Sequence, residues 1–376
     1  MLFLKIAINT RLLLPNQMDG IGWFTYETVR RMVASHPDVE FHFLFDRPYD
    51  KRFVFAENVK AHYLGPPARH SLLQKMWNNY SVPFMLRSIK PDVYFSPDAQ
   101  LSLRTNVKQV LVIHDLNFEH YPTDIPSHYY RYLHTQSPKF ADKASRIITV
   151  SEFSKQDIIS LYKISPDKID VAWNGVNDLF HPLNTIDQKE VREKLTGGKP
   201  YFISVGSIHP RKNLHRLLPA FDQFKERTGS HSKLVVVGNA FYLSEEIKSA
   251  LQNMKYKADV IMAGRMFADE LNEAIASSIA NVYISYFEGF GIPVLEGFKC
   301  GVPVLSSNTS SIPEIAGDAA LLIDPFNQNE ISNALETLET NETFRDELIE
   351  KGKKRVQLFS WDHTAEVVWN SLMKVI

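Results

Sequence analysis

Cys300 is the only cysteine in 376 residues, which excludes an internal disulfide and any cysteine-based zinc site. That usage suits a reducing cytoplasm. No Asp-x-Asp pair and no His-x-x-x-His occurs, so the residues offer no dedicated metal site. Every apolar run falls short of the ~20 residues that span a bilayer. The start, Met1-Leu2-Phe3-Leu4-Lys5-Ile6-Ala7-Ile8, is broken by Lys5 and runs into Asn9-Thr10-Arg11 rather than a small-residue cleavage site. It reads as a first buried strand. Neither sign of charge prevails, with 42 Lys and Arg against 43 Asp and Glu. A net charge of −1 argues against a nucleic-acid partner. Glycine (16) and proline (20) are ordinary in number, which excludes a collagen-like or low-complexity chain.

What is present is an α/β pattern. Short Val-, Ile- and Phe-rich runs alternate with helix-length segments, as in a parallel sheet with crossover helices. Strands are expected at 3–9, 40–45, 92–96, 109–114 and 146–151, then at 201–206, 233–238, 259–263, 281–285, 302–306 and 320–323. Amphipathic helices are expected at 23–35, 214–227, 245–253 and 270–278. The chain is longer than one core of roughly 250–300 residues, so each half is read as a doubly wound domain. The break falls within 178–200, rich in Pro and Gly, which sets domains at 1–180 and 181–358. Residues 359–376 form an amphipathic tail with Trp361, Val368, Trp369 and Leu372, expected to pack back toward the first domain.

Chemical content concentrates in the second half. A strand ends at Gly206-Ser207, and Arg211-Lys212-Asn213 leads into a helix. Two cations at a helix start oppose its dipole unless an anion intervenes, which favours a bound phosphate over two solvated surface charges. Phe287-Glu288-Gly289-Phe290-Gly291-Ile292-Pro293 follows another strand, with Glu296 in the helix beyond. Carboxylates there suit sugar or ribose hydroxyls, although Glu296 alone also reads as an exposed helix residue. In the first half, Asp19-Gly20-Ile21-Gly22-Trp23 precedes the first helix, but Thr25 stands where a dinucleotide fingerprint wants its third glycine. A NAD enzyme is therefore weakly supported. His114-Asp115 ends a strand, where a histidine serves a cleft or a structural hydrogen bond. Ser154 with Asp157 reads as a helix N-cap. From Val59 to Pro91 there are five basic residues and no acid, interleaved with Trp77, Tyr80, Phe84 and Met85. A solvated basic helix face and an anionic lipid-linked acceptor at a membrane surface are both open readings.

Those second-half motifs, with Ser311-Ile312-Pro313-Glu314-Ile315-Ala316-Gly317-Asp318, Val112-Ile113-His114-Asp115 and Trp173-Asn174-Gly175-Val176, resemble the retaining family 4 glycosyltransferases. The resemblance implies a GT-B fold: two Rossmann-like domains facing an interdomain cleft. It implies a metal-independent hexosyltransferase of polysaccharide or lipopolysaccharide assembly. Arg211 and Lys212 would hold the donor diphosphate beside Gly206, Ser207 and Asn213. Glu288 would contact donor-sugar hydroxyls with the backbone of Phe290, Gly291 and Ile292. Glu296 would bind the ribose, and Gly264, Arg265 and Met266 would border the base. His114 would face the donor sugar, and Gly22 would lie in a loop approaching the phosphates. GDP-mannose is the expected donor and a UDP-sugar its rival, with no cofactor besides this substrate. The expected acceptor is a glycan or lipid-linked oligosaccharide, met in the cytoplasm at the inner face of the membrane, with peripheral membrane contact. A sugar-nucleotide epimerase or a silent nucleotide-binding protein would share the fold.

Overall fold

Val-, Ile- and Phe-rich segments that must be covered on both faces form two all-parallel sheets. The structure, a computed structural model, describes residues 4–15, 18–239 and 244–376. Met1, Leu2 and Phe3, assigned to the first strand from sequence, lie outside that set. Two compact units result, Met1–Gly175 with Ser360–Ile376, and Val176–Phe359.

The first unit holds β1 (Lys5–Asn9), β2 (Glu40–Phe45), β3 (Val59–Tyr63), β4 (Val93–Ser96), β5 (Lys108–Val112), β6 (Arg146–Thr149) and β7 (Ile169–Val171). Their order, β3-β2-β1-β4-β5-β6-β7, reverses direction between β1 and β4. The second holds β8 (Tyr201–Val205), β9 (Lys233–Val237), β10 (Val260–Gly264), β11 (Ala280–Tyr283), β12 (Val304–Ser307) and β13 (Leu321–Ile323), ordered β10-β9-β8-β11-β12-β13. Such reversals are where doubly wound sheets bind ligands, at the carboxyl ends of the strands.

Two strands escaped the sequence reading, β3 and β7, and both are edges. The first is polar and half-exposed and the second has three residues, so neither carries the apolar run of a central strand. The first helix begins at Gly20, earlier than expected, because the Asp19 carboxylate caps it by accepting from the Gly22 N–H at 3.0 Å. Gly22 thus lies in the first helical turn and not in a loop. The Glu152–Tyr162 helix is likewise capped by Ser151, which accepts from the Ser154 N–H at 3.1 Å. Ser154 is not the cap, and Asp157 instead pairs with His120 at 2.8 Å.

Helix Trp361–Met373 packs on the first unit, burying Trp361, Val368 and Leu372. Gly175 makes room for it, since a Cβ there would stand 2.4 Å from the Trp361 nitrogen. Asp170 at the β7 edge takes a fork from Arg146 at 2.6 and 2.7 Å, and also Ser371 at 2.7 Å and Lys374 at 2.8 Å. Burial alone would raise that carboxyl, but these partners hold it down to about 2.

Candidate functional site

In the second unit three strand ends are stitched together. The Gly206 N–H donates to the Val237 carbonyl at 2.9 Å, and the Gly238 N–H to the Gly264 carbonyl at 2.8 Å. Gly206 has φ +150°, and the Lys212 stem runs across it, with Cε 3.4 Å from where a Cβ would stand. A methyl group there would only touch the lysine, so it is the positive φ that calls for glycine.

Arg211 and Lys212 do not sit in the helix. They occupy a single tight turn, Pro210–Lys212, and Asn213 at φ +65° redirects the chain into helix Leu214–Thr228. Asn213 is fully buried, and its amide donates to the carbonyls of Ile284 (3.2 Å) and Pro325 (2.6 Å). The structure therefore makes it a brace for the turn, whereas the sequence reading had placed it against the donor.

Both cations converge on one carboxylate. Arg211 Nη1 pairs with Glu288 Oε2, and Lys212 Nζ donates to Glu288 Oε1 at 2.5 Å and to the Tyr283 hydroxyl at 2.6 Å. Arg211 Nη1 also donates to the Phe287 carbonyl at 3.2 Å. Burial would raise the Glu288 carboxyl, but the two cations outweigh it and bring it to about 2. Glu288 stays ionised, and the three groups together carry one net positive charge.

The Glu288 loop is held from the strand beyond. The Glu288 N–H donates to Ser310 Oγ at 3.0 Å, while Ser311 Oγ donates to the carbonyls of Glu288 (2.9 Å) and Phe290 (3.0 Å). Gly291 opens helix Ile292–Lys299 at φ +109°, where a Cβ would strike Ile312 at 2.6 Å. Phe290 is buried edge-on against Phe359. Ser207, Gly264 and Arg265 are exposed at the strand ends, and Met266 and Ile292 are half-buried.

Glu296 in that helix is raised to about 7 by burial, against a weaker opposing pull from Lys212. Because its folded value lies above the ordinary 4.5, its stability contribution is full below about pH 4.5 and is lost as pH rises through 7. Wild type should therefore lose about 2 kcal/mol relative to Glu296→Gln between about pH 5 and pH 8, read by urea titration at each pH. Parallel pH curves for the two proteins would remove burial as the cause.

His114 belongs to the first unit, two residues beyond the end of β5 rather than in the strand. Its Nε2 lies 2.8 Å from the Pro97 carbonyl and so carries the proton. Burial lowers its pKa, and the ring stands edge-on to Phe24 at 5.0 Å between centroids. It is a neutral imidazole at neutral pH.

Sequence reasoning named the two cations and both glutamates but not their mutual pairing. It also gave no role to Tyr283, Gly238 or Ser310. The signal for Gly238 was legible: a glycine directly after Leu234-Val235-Val236-Val237, matching Gly206 after its own strand. Among the described residues, no group of three or more His, Cys, Asp or Glu side chains is gathered for a metal ion. No helix among them is long and apolar enough to cross a membrane.

The family model "Glycosyltransferase Family 4" matches residues 18–178, and "Glycosyl transferases group 1" matches 186–355. O-antigen chain mannosyltransferase B of Escherichia coli is 26% identical over 358 residues, 92% of this chain and 93% of its own. The Salmonella typhimurium O-antigen chain mannosyltransferase RfbU is 26% identical, over 70% of this chain and 69% of its own. Among solved structures, sucrose-phosphate synthase of Thermosynechococcus elongatus superposes with a TM-score of 0.81 at 17% identity, covering 99% and 98% of the two chains. Anabaena HepE, solved with UDP-glucose, gives 0.77 at 15% identity over 98% and 99%. These likenesses establish the GT-B fold.

Proposed function

Since the chain belongs to the family 4 glycosyltransferases, we propose that it moves a hexose, mannose before others, from a nucleoside-diphosphate sugar to a glycan or lipid-linked acceptor with retained configuration. The observation that carries this reading is the Arg211–Glu288–Lys212 cluster at the carboxyl end of the second sheet. Its carboxylate keeps two cations in place before any ligand arrives, and its surplus positive charge suits a diphosphate. The arginine offers a fork and the lysine a point charge. Once the donor binds, Glu288 is the acceptor-only group for sugar hydroxyls and Glu296 for the ribose. His114, its Nε2–H already committed, has Nδ1 as an acceptor for a sugar hydroxyl. The departing phosphate takes the acceptor's proton on the same face. The mannosyltransferase names of the relatives favour GDP-mannose, and the neighbour holding UDP-glucose keeps a UDP-sugar as the rival.

Release of nucleoside diphosphate from a donor panel, with and without acceptor extracts, is the deciding assay. Acceptor-dependent release marks a transferase, whereas product without acceptor marks an epimerase or hydrolase. GDP at 100 times its dissociation constant should stabilise the chain by ~2.7 kcal/mol in a thermal-shift assay. Stabilisation by UDP and not GDP would reverse the choice of donor.

Membrane contact is part of the proposal. Leu72, Met76, Tyr80 and Phe84 are exposed at intervals of four along Ser71–Ile89. A π-helical turn at Trp77–Ser81 loosens the winding, which keeps a four-residue interval on one line. Lys75 and Arg87 are exposed on the same stretch. Wild type should float with anionic vesicles, and a Lys75→Glu, Arg87→Glu double variant should stay in solution. No flotation of the wild type would reject the contact, and equal flotation by both would reject the two basic residues as its basis.

A further inference from the structure

In the first unit the segments that follow β1, β2 and β3 close on one another beside the carboxyl ends of those strands. A cavity of about 230 Å³ there is lined by Arg11, Arg47 and Arg69, with Leu13, Phe45 and Tyr49 among its walls. Two of the three guanidiniums are fixed in advance. Arg11 is 8% exposed; its Nε pairs with Asp98 and its Nη1 donates to the Ala68 carbonyl at 3.2 Å. Asp98 is itself buried and accepts from Ser96 Oγ at 3.0 Å, which in turn takes the Asn9 amide at 3.0 Å. Arg47 is gripped by the fully buried Asp46, Nε to Oδ1 at 2.7 Å and Nη2 to Oδ2 at 2.8 Å. These contacts leave Nη2 of Arg11 and Nη1 of Arg47 for a ligand. Arg69 is exposed, and among the described residues its guanidinium has no side-chain partner. Three cations against two carboxylates leave one net positive charge. Phe45 and Tyr49 stack at 4.7 Å and add a flat apolar wall.

We propose that this cavity binds a phosphoryl group carried by the acceptor, with the aromatic wall beside the group's sugar or prenyl body. The assignment to an acceptor rests on the glycosyltransferase reading; the anion site itself does not. Pinned guanidiniums bind phosphate with little ordering cost, and their spare N–H groups match its oxygens. The phosphate has two sources, a prenyl diphosphate carrier or a phosphorylated sugar.

The test uses the full chain carrying Lys212→Ala, which weakens phosphate binding at the donor loop. Titration calorimetry is run with farnesyl diphosphate and with glucose 1-phosphate as the probes. At least one should bind, and adding Arg47→Lys, which keeps a cation against Asp46 but loses the spare N–H of the fork, with Arg69→Ala should weaken it at least tenfold while leaving the heat midpoint in place. Tighter binding of farnesyl diphosphate assigns the lipid carrier, and equal or tighter binding of glucose 1-phosphate assigns the sugar. Binding of neither probe, or binding that the arginine substitutions leave unchanged, overturns the site. Nucleotide release is scored separately on the wild-type chain. Arginine-dependent binding without acceptor-dependent release removes the transferase and leaves the anion site, and release with arginine-independent binding does the reverse.

Discussion

Lys212→Ala should lower turnover about a hundred- to a thousandfold, the cost of removing one preorganised donor from a developing anion, or about 2.7–4 kcal/mol. A nucleoside diphosphate gains charge as the glycosidic bond breaks, and in the proposed function Lys212 is one of two cations that meet it. Its loss leaves Glu288 still paired with Arg211, so the carboxylate is not stranded and the unit should keep its fold. Arg211→Ala should cost a similar factor and also removes a bond to the Phe287 carbonyl, which loosens the loop. Heat midpoints of both variants separate a lost charge from a lost structure. With two cations supplied by the chain and no Asp-x-Asp pair in it, activity should survive excess EDTA. Loss in chelator with rescue by magnesium or manganese would defeat this account.

Gly238→Ala should be the most damaging single methyl group in the second unit. Gly238 has φ +154°, and a Cβ there would lie 1.8 Å from the Gly206 carbonyl oxygen and 2.7 Å from its carbonyl carbon. Both obstacles are backbone, so no rotamer change relieves them. The ends of β8 and β9 would have to part, breaking the bond from the Gly206 N–H to the Val237 carbonyl. A loss above about 4 kcal/mol follows, which lowers the heat midpoint by roughly ten degrees or prevents accumulation of folded protein. Gly229→Ala is the control: its φ is +66°, but nothing lies within 4 Å of the added methyl. It should cost about 1 kcal/mol. Similar midpoints for the two variants would mean that the strand ends are not held as described.

The central strands were legible because burial on both faces demands an uninterrupted apolar run, and β2 matches its expected span at Glu40–Phe45. Edge strands β3 and β7 face no such demand. The doubly wound class and the paired cations were legible as well, since glycines, cations and carboxylates cluster after strand-like runs. What the linear pattern could not carry is partnership. Arg211 and Glu288 are 77 positions apart, and nothing in either segment states that one will neutralise the other. Tyr283 reads as an ordinary aromatic strand residue until Lys212 is found against its hydroxyl. Gly22 was misplaced for a local reason, because the reach of the Asp19 cap decides whether the helix starts before or after it.

The first unit is discontinuous, and a ribosome must make all of Val176–Phe359 before the helix that completes it emerges. Until then the groove over Gly175 and the carbonyl of Trp173, which Thr364 later binds at 2.5 Å, remain uncovered. The second unit suffers no such wait, being encoded in one stretch. It should therefore finish folding first, reversing the usual amino-to-carboxyl order of domain maturation. A nascent chain released early would carry a folded second unit joined to an unfinished partner, a form that quality-control proteases are suited to recognise.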